Sequence, residues 1–324
     1  MPDPRAIRLA AAVTPADAEQ RLAVFCPGPL LTVTIERFDD GDDSIHLHAG
    51  GQGVWVARMA KELGALPVVC APLGGEAGAV VEDLLRGEGI ALRRVDRAGA
   101  SAAYVHDRRG GHRVQLAEQG ASRLDRHEVD ELVNVALSHG VECGTAVITG
   151  TADRRVLPSV TFEQLVADLR AMGVNTVADL SGPQLDAAVD GGIDTVKVSD
   201  VELSADGRVT GESTDDVIAA AERLRAAGAG TVVVSRQQRP VVAVGPAGIW
   251  EAEVVPLTVV DHRGAGDSMT AAIAVSIGRG APIVEALRLG VAAGSLNVTR
   301  HGLATGPRDA IESLSRAVEV RRLG

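Results

Sequence analysis

The sequence predicts an α/β protein in which a mostly parallel central sheet is flanked by helices and accompanied by a small β-sheet lid. Three observations predict it. Apolar runs of strand length alternate with helical patterns along the chain, the rhythm of βαβ units. Aromatic residues make up only 2% of the chain, so the core must be built from Val, Leu, Ile and Ala, which suits strands buried on both faces. Two stretches, 32–49 and 92–117, break the alternation with short strands around turns.

Residues 1–22 read as an N-terminal arm, because the Ala-rich stretch after Arg5 and Arg8 is too short, and too interrupted by Pro15 and Asp17, for a signal peptide. Residues 23–324 read as one domain with its lid. Strands are expected at 22–26, 67–71, 145–149, 174–179, 193–198 and 231–235. Helices are expected at 53–63, 76–88, 125–138, 160–172, 214–227, 267–278, 281–295 and 308–320. The lid strands at 32–49 surround an acidic turn, Asp39–Asp43, and those at 92–117 surround a turn at Arg108–Gly111. A small sheet inserted this way is placed to cover a site.

The net charge of −11 argues against a nucleic-acid partner, since phosphate backbones are bound by basic surfaces. No apolar run reaches the roughly 18–20 residues needed to cross a bilayer. Cys26, Cys70 and Cys143 are far apart and lack CxxC spacing, which reads as reduced thiols in a cytoplasmic protein. Lys61 and Lys197 are the only lysines; arginine supplies the remaining positive charge.

The chemistry is expected in two segments. In VVDHRGAGDSMTAAIAVSIG (259–278) a strand ends, Gly264-Ala265-Gly266 turns, and a helix opens at about Asp267. Small residues there let backbone N–H groups converge at a helix N-terminus, where the macrodipole also favours anions. Asp267 is expected to stay ionised and to face the same pocket as the anion. A carboxylate beside an amide cradle is what phosphoryl transfer asks of a protein, which must position groups and stabilise moving charge. A plain turn with a capping Asp would look the same locally. In HAGGQGVWVARMAKELGA (48–65), Gly50, Gly51 and Gly53 would let a ligand approach the backbone, or would form a tight loop before a packed helix.

The order and spacing of these segments resemble the PfkB carbohydrate kinases, nearest the 1-phosphofructokinase and tagatose-6-phosphate kinase branch. The likeness runs from about residue 23 to about 315 and includes LGGEAGAVVEDLLRGEGI (73–90), ADLSGPQL (178–185), VKVSDVEL (196–203) and AAGSLNVTRHGLATG (292–306). It implies a ribokinase-like fold, ATP and Mg²⁺ as cofactors, and a small-molecule sugar or sugar-phosphate acceptor. By the same resemblance Asp267 is the catalytic base, and Gly264, Ala265 and Gly266 form the anion hole. Gly50, Gly51, Gln52, Gly53 and Asp261 fall at substrate positions. Lys197, Ser199, Ser235, Arg236, Arg263 and Asn297 fall on the nucleotide side, and Glu202 at the magnesium position. The lid often forms the dimer contact in this family, which implies a homodimer.

The sequence departs from the family at ligand-contacting positions. The substrate loop usually reads GGKGxN, but Gln52 and Trp55 stand where Lys and Asn are expected. Cys26-Pro27-Gly28-Pro29-Leu30 lacks the usual sugar-binding carboxylate, and Ser101-Ala102-Ala103-Tyr104 lacks the lid Arg. Ser199 replaces an Asn. The nucleotide loop has become Ser235-Arg236-Gln237-Gln238-Arg239-Pro240 without its glycines, and is expected to follow another path, because φ > 0 strains other residues. Arg236, Arg239 and Arg263 are candidates to compensate at the phosphates. His46, His48, His112 and His262 do not have metal-site spacing. Trp55 could stack on a ligand ring or pack in the core. Two functions follow: a working kinase with an altered acceptor, or a weak or inactive homologue that binds ligand as a regulatory protein. A dinucleotide oxidoreductase is disfavoured, since no glycine fingerprint follows the first strand.

Overall fold

The computed structural model describes residues 20–38, 41–300 and 304–323. Most of the N-terminal arm, with Asp39 and Asp40 of the acidic turn, lies outside them. The chain enters through β1 (Arg21–Phe25), forms two strands of a small sheet, β2 (Leu30–Arg37) and β3 (Asp43–Gly50), then α1 (Gln52–Glu62), β4 (Leu66–Leu73), α2 (Gly75–Gly87) and β5 (Ala91–Asp96). Next come β6 (Ala102–Asp107), β7 (Val114–Gln119), α3 (Arg126–Cys143), β8 (Thr145–Thr149), α4 (Val160–Ala171), β9 (Asn175–Asp179), α5 (Gly182–Asp190) and β10 (Thr195–Ser199). The last part holds α6 (Asp200–Ala205), α7 (Thr214–Ala227), β11 (Thr231–Arg236), β12 (Arg239–Gly245), β13 (Gly248–Ala252), α8 (Ala265–Gly278), α9 (Ile283–Asn297), α10 (Arg308–Ser315) and β14 (Val320–Arg322).

Ten strands form the large sheet in the order β14-β13-β12-β11-β10-β9-β8-β1-β4-β5. The seven from β11 to β5 run parallel, and the three at the other edge are antiparallel. The sequence order reverses between β1 and β8, so this is the switch point at whose carboxyl edge α/β sheets bind ligands. Alternate strand residues point to opposite faces. Val24, Val147, Val177 and Val233 join α1, α8 and α9 in one core, while Phe25, Ile148, Ala178 and Val232 join α3, α4, α5 and α7 in the other. Helix α8 is buried from Asp267 to Ser276, and its run of Ala, Ser and Thr lets neighbours approach on every side.

The small sheet has the order β3-β2-β6-β7. Residues 91–96, which fall largely within the stretch read as lid, pair instead with β4 and form an edge of the large sheet. The helix expected over 308–320 ends at Ser315, and the chain returns as β14 to the far edge of the large sheet. Helices α5 and α6 and the hairpin β12–β13 lie where the sequence reading placed no element.

Candidate active site

Helix α8 begins where the chain turns through Gly264, whose φ of 76° is left-handed and suits glycine; a Cβ there would sit 3.2 Å from the Ala304 nitrogen. No side chain caps the helix at this residue, so its first amides stay open, and Ala265 and Gly266 line a cleft of about 550 Å³. Asp267 lies just beneath, 7% exposed, with Oδ1 buried and without a hydrogen-bond partner. Burial, reinforced by the Asp179 carboxylate and partly offset by Lys197, pushes its pKa up to about 8. Against the expectation that Asp267 stays ionised, burial and the Asp179 charge favour its neutral form.

Beside it is a charge pair that was not singled out from the sequence. Asp179, at the end of β9, receives Lys197 Nζ at 3.2 Å on each oxygen and Thr270 Oγ1 at 2.8 Å on one. All three side chains are buried, and Lys197 forms part of the cleft wall. Burial works against the lysine's charge, but Asp179, Glu202 and Asp267 more than offset it and its pKa is raised.

Ser199, Glu202, Ser235 and Arg236 line this same cleft with Lys197, and Val254, Val255, Pro256, Leu257, Val291 and Val298 form its apolar part. Ser199 caps α6 in a reciprocal box: Glu202 Oε2 accepts from Ser199 Oγ at 2.6 Å and from its backbone N–H at 2.8 Å. Arg236 is not free for phosphate. It is 3% exposed and donates to Thr214 Oγ1 and the Glu212 carbonyl at 2.9 and 2.8 Å. Arg239 is likewise tied to Asp200 at 2.6 Å. Asn297 does not line the cleft. Its amide donates to the Arg263 carbonyl at 2.7 Å and accepts from Ala304 N–H at 2.8 Å, so it braces the two loops that frame α8. The segment after β11 turns at Gln237, whose φ is 54°, and does enter the left-handed region that was expected to be avoided.

A second cleft, of about 470 Å³, opens under the small sheet. Gly50, Trp55, His46, His48, Tyr104, Arg113, Asp261 and Arg263 are among its walls. Arg263 was read as a nucleotide-side residue, but it faces this cleft, paired with Asp261 at 2.5 Å. Gly51, Gln52 and Gly53 do not line it. A Cβ on Gly51 would meet the Gly28 carbonyl at 2.5 Å and one on Gly53 would meet Cys26 at the same distance, so these glycines serve chain packing. Gln52 turns toward the switch point, where it accepts from Gly150 N–H at 3.2 Å. Arg58 is engaged by Glu88 at 2.7 Å. His48 stacks on His46 with ring centroids 6.1 Å apart, and desolvation, with the Arg58 charge, lowers its pKa. The two clefts thus flank the segment 261–266, with Asp261 and Arg263 on one side and His262, Ala265 and Gly266 on the other.

An open helix N-terminus between two clefts, above a buried carboxyl and ammonium, is an arrangement suited to phosphoryl transfer. The fold is ribokinase-like: Arabidopsis thaliana ribokinase, complexed with ribose and ATP, matches 92% of this chain and 99% of its own, with a TM-score of 0.72 and 19% identity. The chain belongs to the pfkB family of carbohydrate kinases, whose family pattern matches residues 31–310. ATP-dependent 6-phosphofructokinase isozyme 2 of Escherichia coli (strain K12) is 32% identical over 270 residues, covering 78% of this chain and 82% of that protein. The 1-phosphofructokinase of Haloferax volcanii is 30% identical over 270 residues, covering 81% and 82%. In three dimensions the Escherichia coli phosphofructokinase-2 in complex with potassium superposes with a TM-score of 0.81 at 25% identity, over 93% of this chain and 99% of that one. The protein is an enzyme, a phosphofructokinase-like sugar kinase.

Proposed function

We propose that this enzyme transfers the γ-phosphoryl group of ATP, with Mg²⁺, to a hydroxyl of a sugar or sugar phosphate, and that Asp267 is the general base. One observation carries the reading: Asp267 is a buried carboxyl with an unpartnered oxygen in the first turn of the uncapped helix α8, directly after Ala265 and Gly266, which line the larger cleft. The cleft beside Lys197 fits a nucleotide, since it joins an apolar part at 254–257 to a polar part built from Lys197, Ser199, Glu202 and Ser235. Among the described residues no cluster of three or more His, Cys, Asp or Glu could hold a metal alone. Glu202 would hold Mg²⁺ together with the nucleotide phosphates, since that ion is usually bound by one or two carboxylates plus substrate phosphates. Bound there, Mg²⁺ would neutralise charge on the transferring group.

The acceptor enters the lid cleft and presents its hydroxyl to Asp267. As the acceptor oxygen bonds to the γ-phosphorus and the bond to the β-phosphate oxygen breaks, Asp267 takes the hydroxyl proton, and ADP leaves. Lys197 and the amides of Gly264, Ala265 and Gly266 offset the charge on the moving group. Arg113 supports an anionic acceptor: it reaches the lid cleft and makes its polar contact with the imidazole of His106. ATP as donor goes with a cytoplasmic location, and the exposed apolar residues Ile45 and Leu47 of β3 support a homodimer through the lid.

The test is ADP release with MgATP over a panel of sugars and sugar phosphates, beside thermal stability with and without MgATP. Turnover with at least one acceptor, lost in Asp267→Asn, is expected. Two observations favour the second reading, a weak or inactive ligand-binding homologue. The Glu202 carboxylate is engaged in the capping box, and two nitrogens of the Arg236 guanidinium are held by Thr214 and Glu212. Stabilisation by MgATP without ADP release from any acceptor would support it.

A further inference from the structure

Asp179 is 1% exposed at the carboxyl edge of the sheet, and no step of the proposed reaction uses it. Its two partners come from different elements, Lys197 from β10 and Thr270 from α8, so one carboxylate ties the strand bearing the cation to the helix bearing the base. Gly266 completes the fit, since a Cβ there would lie 2.5 Å from Lys197 Nζ. Lys197 is one of two lysines in an arginine-rich chain, and a compact ammonium can sit under that glycine where a planar guanidinium would be too large.

We propose that Asp179 is a positioning residue for phosphoryl transfer, holding Lys197 with both oxygens so that the ammonium is fixed beneath the Gly264–Asp267 turn. The proposal rests on the roles given above to Lys197 and Asp267. A lysine stem is flexible, and without this clamp its head would move out toward the water of the cleft. Asp179 also acts on the base directly. The charged groups that bear on Asp267 are Asp179 on β9, Lys197 on β10 and Glu202 on α6; the buried residues of α1 and α9, which pack on α8, include no ionisable side chain. Removing the Asp179 charge lets Asp267 give up its proton at lower pH.

The experiment uses MgATP and the panel acceptor that releases ADP fastest. In Asp179→Asn the KM for MgATP should rise, and plateau kcat should fall, each by about tenfold or more. The acid limb of kcat/KM should also move down by about one pH unit, a shift that damage to the fold alone would not produce. Thr270→Val removes one hydroxyl and leaves the charge, so it should raise the MgATP KM several-fold and leave the limb in place; it carries the test if Asp179→Asn fails to fold. Wild-type KM and limb in folded variants would overturn the proposal. Asp267→Asn and Lys197→Met, assayed in parallel, separate the causes: if both keep turnover, the underlying roles are wrong, whereas if both lose it and the Asp179 and Thr270 variants are unaffected, only the clamp is wrong.

Discussion

The carboxyl of Asp267 ties stability to catalysis. Its pKa of about 8 lies above the ordinary 3.8, so the folded protein binds this proton more tightly than the unfolded chain does. That contribution is fully present below the ordinary value and is lost as pH rises through about 8. Asp267→Asn mimics the neutral acid, so it should unfold less readily than wild type above that pH, with the difference shrinking toward acid. Turnover should fall on the order of 10²-fold or more in the same variant. Denaturation curves across pH and an assay of ADP release check both halves; a variant no more stable at alkaline pH would mean that the fold does not raise the pKa of this carboxyl. For wild type, kcat/KM should rise with pH through about 8. Gly266→Ala joins the two effects. Alanine suits a helix better by about 1 kcal/mol, but its Cβ would push Lys197 off Asp179, so the variant should be less stable than wild type as well as raised in MgATP KM. The string around Asp267 was enough to single out that residue as the candidate base. Its protonation was not legible, because it depends on Asp179 and Lys197, which only the folded sheet brings alongside.

Secondary structure was most legible where apolar runs are long. The strand expected at 145–149 matches β8, and the helix at 214–227 matches α7. The hairpin β11–β12 was missed for a physical reason. Its turn is Gln237-Gln238, without the Gly or Asn that announces a tight connection, so the segment read as a nucleotide loop that had lost its glycines. Burial of Val241 to Val244 in the sheet overrides that turn preference and holds Gln237 at a φ of 54°. Left-handed backbone costs a side-chain-bearing residue about 1–2 kcal/mol, against which glycine loses more freedom on folding. Gln237→Gly should therefore raise the unfolding free energy by about 0.5 kcal/mol in a urea titration; a loss would show that the glutamine side chain stabilises the turn. The glycines at 50–53 left a ligand loop and a tight packing loop open, and Gly50 alone of them lines the lid cleft. They look like a ligand loop because glycine permits close approach, but what approaches Gly51 and Gly53 is the chain itself at Gly28 and Cys26.

At the scale of the molecule, the small sheet has two unlike faces. Thr32, Thr34, His46, His48 and Tyr104 look into the lid cleft. Residues that alternate with them face away: Val33 and Ala103 pack on the core, but Ile45 and Leu47 are 67% and 47% exposed, and Val114 is 44% exposed. Leu116, beside the register shift of β7, is 53% exposed. Apolar side chains clustered on an edge-stranded sheet mark a protein interface more often than a solvent face. A second copy of the chain is the proposed occupant, because two such lids can cover each other and the same contact would steady the walls of both acceptor clefts. Ile45→Asp with Leu47→Asp places charge at the centre of that contact. The wild-type protein should sediment as a dimer and the double variant as a monomer. MgATP should still stabilise the monomer, since the cleft proposed for the nucleotide is lined by residues between Lys197 and Val298, outside the small sheet. The KM for the acceptor should rise, because the lid would have lost its support. A wild-type protein that sediments as a monomer throughout the micromolar range would rule out the lid interface and leave this apolar face without its proposed cover.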